Sequence, residues 1–501
     1  MNFTPFARSL EVLYYKHVMK QAHNNIRRNF IYRSVVTVLI FLILSISVCD
    51  TVFAATDYEE AAQLRKELPI QSNDISGWPH GPEITAQAAI VMEANTGTIL
   101  YSKNIHEELY PASTTKIMTC LLAVENASLA DEITFSNEAV FSVPQGGSNI
   151  GMDVGQSISL EQALYGIMVG SANEVANAVA EHVSGSISGF VDLMNSRAKE
   201  LGCTNTHFSN TNGLQADDHY TSAYDLALIS RAFFANELLC KVGNTARYHF
   251  EATDNQPDDF YLNNKHKLIS GEMTYEGIVG GKTGYTDLAR ETLVTCAEKD
   301  GLKLICVVFM EESPSQFTDT ITLLNYGFNN FKTLNVSDSD TRYMPDDSLF
   351  FESDNDVFGR SGTILKLGKS DQIIIPKTAS IEDTDYEIQY NLTDEEKNMF
   401  PAAIARVAYT FSGAPIGNAY VSYSMTPKSS LTEIPAAEKT VFVNVRILLA
   451  IAAAIFILAT IIGSISTVAV SGKKIYSKSD KVRYNRRKRE YKKTKFKSKK
   501  F

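Results

Sequence analysis

PASTTKIMT, residues 111–119, is the stretch that most constrains the fold. Apolar residues recur within and behind it at helical spacing: Ile117, Leu121 and Val124. This pattern predicts a helix that begins near Ser113. Residues three apart share one face of a helix, so Lys116 can contact Ser113. A hydroxyl beside an amine is a nucleophile beside a potential base, which indicates covalent catalysis.

The pair can act in this way only if Lys116 is neutral for part of the time. Burial and a second cation, such as Lys282, both disfavour the charged form of a lysine. The helix start also offers free backbone N–H groups and a positive dipole to a developing oxyanion. Taken alone, the pattern is equally compatible with Ser113 as a helix cap and Lys116 as a surface lysine.

A second short motif, Ser171-Ala-Asn173, lies in the middle of the chain, where helical patterns dominate. Ser171 supplies a hydroxyl that can relay a proton, and Asn173 supplies an amide that can hold Lys116 or the substrate backbone. Helix capping after Gly170 is the alternative interpretation.

A third motif, Lys282-Thr-Gly284, follows a predicted strand. Lys282 and Thr283 supply a cation and a hydroxyl at a strand edge, which suits a substrate that ends in a carboxylate. Gly284 leaves room for close backbone approach. A solvated lysine at a strand end is the alternative, but the order and context of the three motifs favour one catalytic site.

The remaining pattern predicts an α+β fold. Apolar runs at 86–92 and 98–101 are joined by EANTG, which is typical of a hairpin. Further strands are predicted at 277–282, 292–297 and 304–310, with two helices within 160–201 and one each at 223–239 and 317–331. Strands at both ends of a helical region indicate a sheet assembled from the two ends, with a helical insert. Short alternating runs beyond residue 334 predict a small all-β domain.

Two apolar segments concern the membrane. Residues 35–48 follow several arginines and precede Val-Phe-Ala54, as in a secretory signal, although an uncleaved anchor is also possible. Residues 447–470 contain no charge, and a helix of that length covers about 36 Å, enough to span a bilayer. The basic tail behind this segment predicts a single C-terminal anchor in the cell membrane, with the tail cytoplasmic and the catalytic domain extracytoplasmic.

These patterns together predict seven consecutive regions. They are a signal peptide at 1–54, a linker at 55–84, a catalytic domain at 85–333, a β-rich domain at 334–425, a second linker at 426–446, a transmembrane helix at 447–470 and a basic tail at 471–501.

Charge and cysteine content exclude several classes of function. The formal net charge is -10, and the basic tail is so positive that the rest of the chain is strongly acidic, which does not favour nucleic acid as a partner. An odd number of cysteines remains after signal cleavage, without metal-like spacing: Cys120, Cys203, Cys240, Cys296 and Cys306. We expect buried free thiols rather than a Cys296–Cys306 disulfide. The histidines are scattered, so no metal or other cofactor is predicted.

Four segments resemble the serine-type D-alanyl-D-alanine carboxypeptidases, the low-molecular-weight penicillin-binding proteins. They are PASTTKIMT, MVGSANEVANAVAEHVSG, HFSNTNGL with DDHYTSAYDLALISRAF, and GGKTGYTDLARETLV. The resemblance implies the penicillin-binding, β-lactamase-like fold, an antiparallel sheet flanked by helices. It also implies peptidoglycan stem peptides as substrates and β-lactam antibiotics as acylating inhibitors.

The resemblance further implies a role for each motif residue. Ser113 would be acylated with release of the terminal D-alanine and then freed by hydrolysis, and Lys116 would be the base. Ser171 and Asn173 would form the relay and orienting pair, and Lys282 and Thr283 would hold the carboxylate beside Gly284. The backbone N–H groups of Ser113 and Tyr285 would form the oxyanion hole.

Two positions depart from the family pattern. Arg290 follows Ala289 where relatives usually have glycine, and Gln316 stands where relatives often carry a basic residue. We expect both to alter the grip on the substrate carboxylate or the shape of the adjoining loops.

Other classes of function fit less well. A class A-like β-lactamase would share the acylation apparatus, but no Glu-x-x-Leu-Asn segment follows Ser171. A penicillin or muropeptide sensor with little turnover would need an effector domain, and the tail shows none. No G-x-S-x-G or H-E-x-x-H motif is present to anchor a hydrolase triad or a zinc site.

Overall fold

The computed structural model describes residues 58–340, 342 and 365–423, together with the single positions 19 and 37. The predicted transmembrane helix at 447–470, its linker and the basic tail lie outside the described residues, as does nearly all of the predicted signal peptide. Within the described ranges, no helix is both long and apolar enough to cross a membrane.

A five-stranded antiparallel sheet forms the centre of the fold. Its strands are β1 (Ala88–Glu93), β2 (Ile99–Lys103), β7 (Ile278–Thr286), β8 (Arg290–Lys299) and β9 (Leu302–Glu311), which lie in the order β2-β1-β9-β8-β7. β1 is buried along its whole length and pairs with β9, so strands from both ends of the region meet at the sheet centre. The continuous apolar runs of these strands reflect cover on both faces of the sheet. The predicted α+β fold is confirmed.

Helices and short hairpins cover one face of this sheet. The helices are α2 (Lys116–Asn126), α3 (Asn137–Phe141), α4 (Leu160–Met168), α5 (Asn173–Ser184), α6 (Ile187–Glu200), α7 (Ala223–Phe234) and α8 (Glu237–Gly243). The short helix α9 (Lys267–Ser270) belongs to the opposite face, since its Leu268 packs in one apolar cluster with Leu293 and Phe317. The hairpins pair β3 (Glu132–Thr134) with β4 (Ser157–Ser159) and β5 (Arg247–Phe250) with β6 (Phe260–Asn263).

The helical region is more finely divided than the periodicity predicts. Three helices occupy 160–201, where two patterns were visible, because Gly185 ends α5 at φ +74° and Ser186 caps α6. Two helices occupy 223–239 and the residues just after it, because Asn236 accepts hydrogen bonds from two backbone N–H groups and starts α8. A capping residue inside an apolar run therefore breaks a helix that periodicity alone would continue.

The other face of the sheet carries α10 (Ser315–Asn330) and the β-rich residues. Their elements are β10 (Phe331–Asn335), α11 (Val336–Ser339), β11 (Leu365–Leu367), β12 (Gln372–Pro376), β13 (Asp385–Gln389), α12 (Asp394–Met399), β14 (Ala403–Phe411) and β15 (Ala414–Tyr423). β10 pairs with β12, and the other strands form a sheet in the order β11-β15-β14-β13.

The segment predicted as the first linker is partly ordered against this core. Residues 58–66 form a helix, α1. The ring centroid of Trp78 lies 4.9 Å from that of Phe331 and 5.9 Å from that of Phe411, and its Nε1 donates to the carbonyl of Leu100 at 2.9 Å. Trp78 thus joins the sheet and the β-rich residues in one apolar cluster.

All five cysteines among the described residues are free thiols, as the sequence predicts. Cys120, Cys296 and Cys306 are buried, whereas Cys203 and Cys240 are half-buried. Cys296 and Cys306 lie on neighbouring strands β8 and β9 but are not opposite each other, because Cys306 pairs with Thr295.

Candidate active site

Ser113 lies in a tight turn rather than in the first turn of an α-helix. Residues Ala112–Thr115 form a 3₁₀ turn, and α2 begins only at Lys116. Ala112 adopts a left-handed φ of +48°, and the hydroxyl of Thr114 donates to the carbonyl of Pro111 at 2.6 Å. The turn holds Ser113 at the mouth of a cleft while α2 carries Lys116 beneath it.

Three oxygen atoms surround the buried side-chain nitrogen of Lys116. Its Nζ lies 3.0 Å from Ser113 Oγ, 2.7 Å from Asn173 Oδ1 and 2.6 Å from the carbonyl oxygen of Asn212. The amide and carbonyl oxygens can only accept, so they use two N–H groups. A neutral amine has two N–H groups and one lone pair, which leaves the lone pair for the hydroxyl of Ser113.

Electrostatics favour this neutral form. Burial holds the pKa of Lys116 well below its ordinary value, and the charge of Lys282 lowers it further. Burial and a neighbouring cation are the two conditions that favour a neutral lysine base.

Ser171 and Lys282 form a second pair of a hydroxyl and an amine. Lys282 Nζ lies 3.1 Å from Ser171 Oγ and donates to the carbonyl of Thr283 at 2.9 Å. Ser171 has a left-handed φ of +59° in the turn between α4 and α5, which directs it toward the cleft. Burial lowers the pKa of Lys282 to about 7, and Lys265 lowers it as well.

The third motif lies within a strand and not at its end. Lys282, Thr283 and Gly284 belong to β7, the edge strand of the sheet, which continues to Thr286. The prediction that the strand stops at Lys282 is therefore wrong. The pairing of Thr283 with Leu293 and of Tyr285 with Glu291 extends the ladder beyond the apolar part of the sequence.

Two glycines allow the walls to close on the nucleophile. A Cβ atom on Gly284 would lie 2.3 Å from Thr292 Oγ1 and 2.9 Å from the carbonyl oxygen of Pro111. A Cβ atom on Gly213 would lie 1.8 Å from the carbonyl oxygen of Ala112. Neither position has room for a side chain, so the backbones pass in direct contact.

Six of the eight predicted site residues line one open cleft of about 510 Å³: Ser113, Ser171, Asn173, Thr283, Gly284 and Tyr285. The remaining two, Lys116 and Lys282, are buried in its walls and reach Ser113 and Ser171. The structure thus brings together all eight residues, from three separate segments of the chain.

Sequence reasoning missed the loop that completes the surroundings of Lys116. Asn212 contributes a backbone carbonyl, and Asn210 Oδ1 fixes the turn by accepting from the N–H groups of Gly213 at 2.7 Å and Asn212 at 3.3 Å. The signal was present in SNTNG, a sequence rich in turn-forming residues. Every residue has a backbone carbonyl, however, so the residue type at position 212 does not reveal that its carbonyl contacts Lys116.

The two positions that depart from the family pattern differ in their placement. Gln316 lines the cleft, is almost fully buried and has no hydrogen-bond partner on Oε1 among the described residues. The Arg290 side chain instead pairs with Glu312, with Nη2 2.6 Å from Oε2, and is not a lining residue. Only Gln316 is thus placed to touch a substrate.

Comparisons with known proteins point to one family. The sequence profile described as D-alanyl-D-alanine carboxypeptidase, Peptidase S11, matches residues 76–313. The chain is 35% identical over 254 residues to the D-alanyl-D-alanine carboxypeptidase DacF of Bacillus subtilis, covering 50% of the chain but only 63% of that relative. It is 31% identical over 290 residues to DacA of Escherichia coli K12, covering 56% of the chain and 70% of that relative.

A solved structure shows the same likeness over a longer stretch. Penicillin binding protein 5 from Haemophilus influenzae superposes with a TM-score of 0.54 at 25% identity, covering 69% of the chain and 98% of that protein.

Proposed function

The chain belongs to the D-alanyl-D-alanine carboxypeptidase family, Peptidase S11, and we propose that it removes the terminal D-alanine from peptidoglycan stem peptides through an acyl-enzyme on Ser113. The observation that carries this proposal is the position of Lys116. It is buried, its pKa is depressed, and two fixed acceptors leave its lone pair for the hydroxyl of Ser113.

In the acylation step, Ser113 Oγ attacks the carbonyl carbon of the penultimate D-alanine while Lys116 Nζ takes the hydroxyl proton. The carbonyl oxygen becomes an oxyanion. The backbone N–H groups of Ser113 and Tyr285 are the proposed donors to it, and such preorganised donors stabilise the transition state strongly. Close contact of β7 with the nucleophile turn at Gly284 supports this arrangement.

Collapse of the intermediate breaks the peptide C–N bond. The departing nitrogen takes a proton that comes from Lys116, relayed by the hydroxyl of Ser171, and D-alanine leaves as the free amino acid. The acyl group remains as an ester on Ser113. Asn173 orients Lys116 throughout, since its Oδ1 accepts from Nζ at 2.7 Å.

In the deacylation step, water attacks the ester carbonyl and gives a proton to neutral Lys116. The ester C–O bond breaks, the proton returns to Ser113 Oγ, and the shortened peptide leaves with a new carboxyl terminus. A β-lactam would acylate Ser113 by opening its ring, so its amine stays attached and no leaving group departs.

The substrate carboxylate would bind beside the third motif. Lys282 supplies positive charge from within the wall, and Thr283 supplies a hydroxyl on the cleft surface. Gln316 can donate from its amide to the same carboxylate, so a neutral contact stands where relatives often have a basic residue.

We place the catalytic domain outside the cytoplasmic membrane, held by a helix at 447–470. The proposal rests on the uncharged segment and the basic tail that follows it. The domain boundaries at 85–333 and 334–425 are part of the same proposal.

The test combines a peptide with a labelled penicillin on the full-length chain in detergent. A pentapeptide ending in D-Ala-D-Ala should lose one D-alanine, and the penicillin should label the parent but not Ser113→Ala. D-alanine release by Ser113→Ala at the parent's rate would overturn the mechanism. Rapid penicillin hydrolysis without peptide cleavage would indicate a β-lactamase, and stable labelling without any turnover would indicate a sensor.

A further inference from the structure

Arg290 is enclosed by groups from three separate segments of the chain. Its Nη2 donates to Glu312 Oε2 at 2.6 Å, and its Nε lies 3.1 Å from Oε1 of the same carboxylate. The guanidinium carbon lies 4.0 Å from the ring centroid of Tyr58. Nη1 lies 3.4 Å from the hydroxyl of Tyr285. An arginine can combine a forked carboxylate contact with aromatic stacking, which a lysine cannot.

The backbone at Arg290 is held in a conformation that non-glycine residues rarely adopt. Its φ is +53°, at the first residue of β8. Such a conformation persists only where surrounding contacts over-determine it, and it is common at functional sites. The side-chain contacts of Arg290 supply that constraint, because the side chain as a whole is only 18% exposed.

Two of the three segments continue directly into the wall of the cleft. Glu312 immediately precedes Ser313, and both Ser313 and Gln316 line the cleft. Tyr285 lies on β7 one residue before Thr286, the pairing partner of Arg290, and also lines the cleft. The Arg290–Glu312 pair therefore ties the end of β7 to the segment that follows β9.

The third segment is α1, which is itself fixed to the sheet. Arg65 donates from Nε to the carbonyl of Thr85 at 3.0 Å, and its Nη2 lies 3.5 Å from Glu312 Oε1. Lys103 Nζ donates to the carbonyl of Arg65 at 2.7 Å. These contacts fix the end of α1 opposite to Tyr58. The Tyr58 ring at the other end of α1 can therefore stay packed over the guanidinium of Arg290.

We propose that Arg290 is a positioning residue. Arg290 is held by Glu312 and Tyr58, and it sets the distance between Tyr285 and the cleft wall that residues 313–316 form. It thereby shapes the part of the cleft that receives the departing D-alanine. This inference rests on the proposed function, because it names what governs the grip on the leaving residue. A displaced wall weakens the contact with that residue equally in the bound substrate and in the transition state, which raises KM and leaves kcat nearly unchanged.

The test compares Arg290→Gly, Arg290→Ala and a matched control, Arg197→Ala. Arg197 makes a similar forked contact with Glu125, at 2.8 Å and 3.1 Å, between α6 and α2. Glycine suits a φ of +53°, so Arg290→Gly removes the clamp without leaving backbone strain.

For the peptide, we expect KM to rise about tenfold in both Arg290 variants, with kcat within about threefold of the parent. Arg197→Ala should keep both constants. Tyr58→Leu should raise KM by a smaller factor, and should add nothing in the Arg290→Gly background, because the two residues act as one unit.

Parent-like KM in Arg290→Gly would overturn the proposal, as would an equal change in Arg197→Ala. If the parent releases no D-alanine but is labelled by penicillin, the proposed function fails and the inference is judged on labelling rates. A tenfold slower labelling of both Arg290 variants, with Arg197→Ala unchanged, would then support it, and equal rates would refute it. If penicillin does not label Ser113 either, both proposals fail.

Discussion

Gly213 packs against Ala112 with no space for a side chain between them. A Cβ atom on Gly213 would lie 1.8 Å from the carbonyl oxygen of Ala112, and Gly213 has a φ of +85°. The residue before the nucleophile and the loop that supplies the Asn212 carbonyl are thereby held in one position. Any side chain at residue 213 must push apart the two segments that surround Lys116.

We therefore expect Gly213→Ala to lose about a hundredfold or more in the rate of penicillin labelling, because a displaced Asn212 carbonyl no longer orients the base. Gly202→Ala is the matched control. It has a similar φ of +86°, but its nearest neighbour is a Leu228 side-chain atom at 3.9 Å. An alanine at residue 202 has the same unfavourable φ as one at residue 213 but meets no neighbouring backbone. The control should therefore lose stability but keep its rate of penicillin labelling. Equal labelling rates in the two variants would show that the contact does not matter for acylation.

Lys116→Arg tests whether the base must become neutral. Arginine keeps the charge but stays protonated at all relevant pH values, so it cannot accept the proton of Ser113. We expect the labelling rate to fall by about a thousandfold. The measurement is a time course of penicillin labelling, with near-ultraviolet circular dichroism to establish that the variant is folded.

Lys332→Arg is the control for the lysine-to-arginine exchange, since among the described residues the Nζ of Lys332 donates only to the backbone carbonyl of Lys377, at 3.2 Å. Labelling of Lys116→Arg at the rate of this control would exclude Lys116 as the base.

The sequence predicts the sheet well because its signals are local. The EANTG turn between two apolar runs identifies the β1–β2 hairpin, and β8 and β9 are continuous apolar strands. Periodicity misplaces the boundaries where a polar side chain competes for the backbone, as at Ser186 and Asn236. It also misses the end of β7, since the strand continues through Gly-Tyr-Thr286 by pairing with β8 rather than by burying an apolar run.

The sequence and the family resemblance together point to the residues of the three motifs, but not to the Asn212 carbonyl or to the Glu312 partner of Arg290. Ser113 and Lys116 are three residues apart, so a single turn, here 3₁₀ running into α2, brings their side chains together. Asn212 acts through its carbonyl, which carries no sequence signature. Glu312 reaches Arg290 only because β8 and β9 are adjacent, and no local pattern indicates that pairing.

The proposed membrane topology predicts the outcome of proteolysis. Protease added to cells stripped of their wall should digest the catalytic domain and spare an epitope placed on the tail. The lysines and arginines of the tail keep it on the cytoplasmic side of the membrane, where the protease cannot reach it. The same digestion after addition of detergent should remove both. Loss of the tail epitope from intact cells, with the catalytic domain preserved, would reverse the orientation.

A buried acid outside the cleft predicts how stability depends on pH. The Thr85 hydroxyl oxygen lies 2.7 Å from Glu311 Oε2 and 3.0 Å from Asp319 Oδ2, so it bridges two carboxyl groups. Burial raises the pKa of Glu311 to about 9, and repulsion from Asp319 acts in the same direction. The folded chain therefore keeps a proton on Glu311 that the unfolded chain releases above about pH 4.5.

Because the folded state binds the extra proton, the stabilisation from Glu311 is complete below about pH 4.5 and is lost as the pH rises toward 9, by up to about 1.4 kcal/mol per pH unit. Glu311→Gln keeps a neutral group of the same shape and removes this dependence. We expect the variant to unfold at the parent's temperature or slightly below it at pH 5, and above the parent at pH 8.5. The measurement is thermal unfolding of the full chain at several pH values. Glu276→Gln, which removes an exposed carboxyl, is the control. If the unfolding temperatures of the parent and of Glu311→Gln change in parallel with pH, then Glu311 is ionised in the folded chain and Asp319 does not repel it.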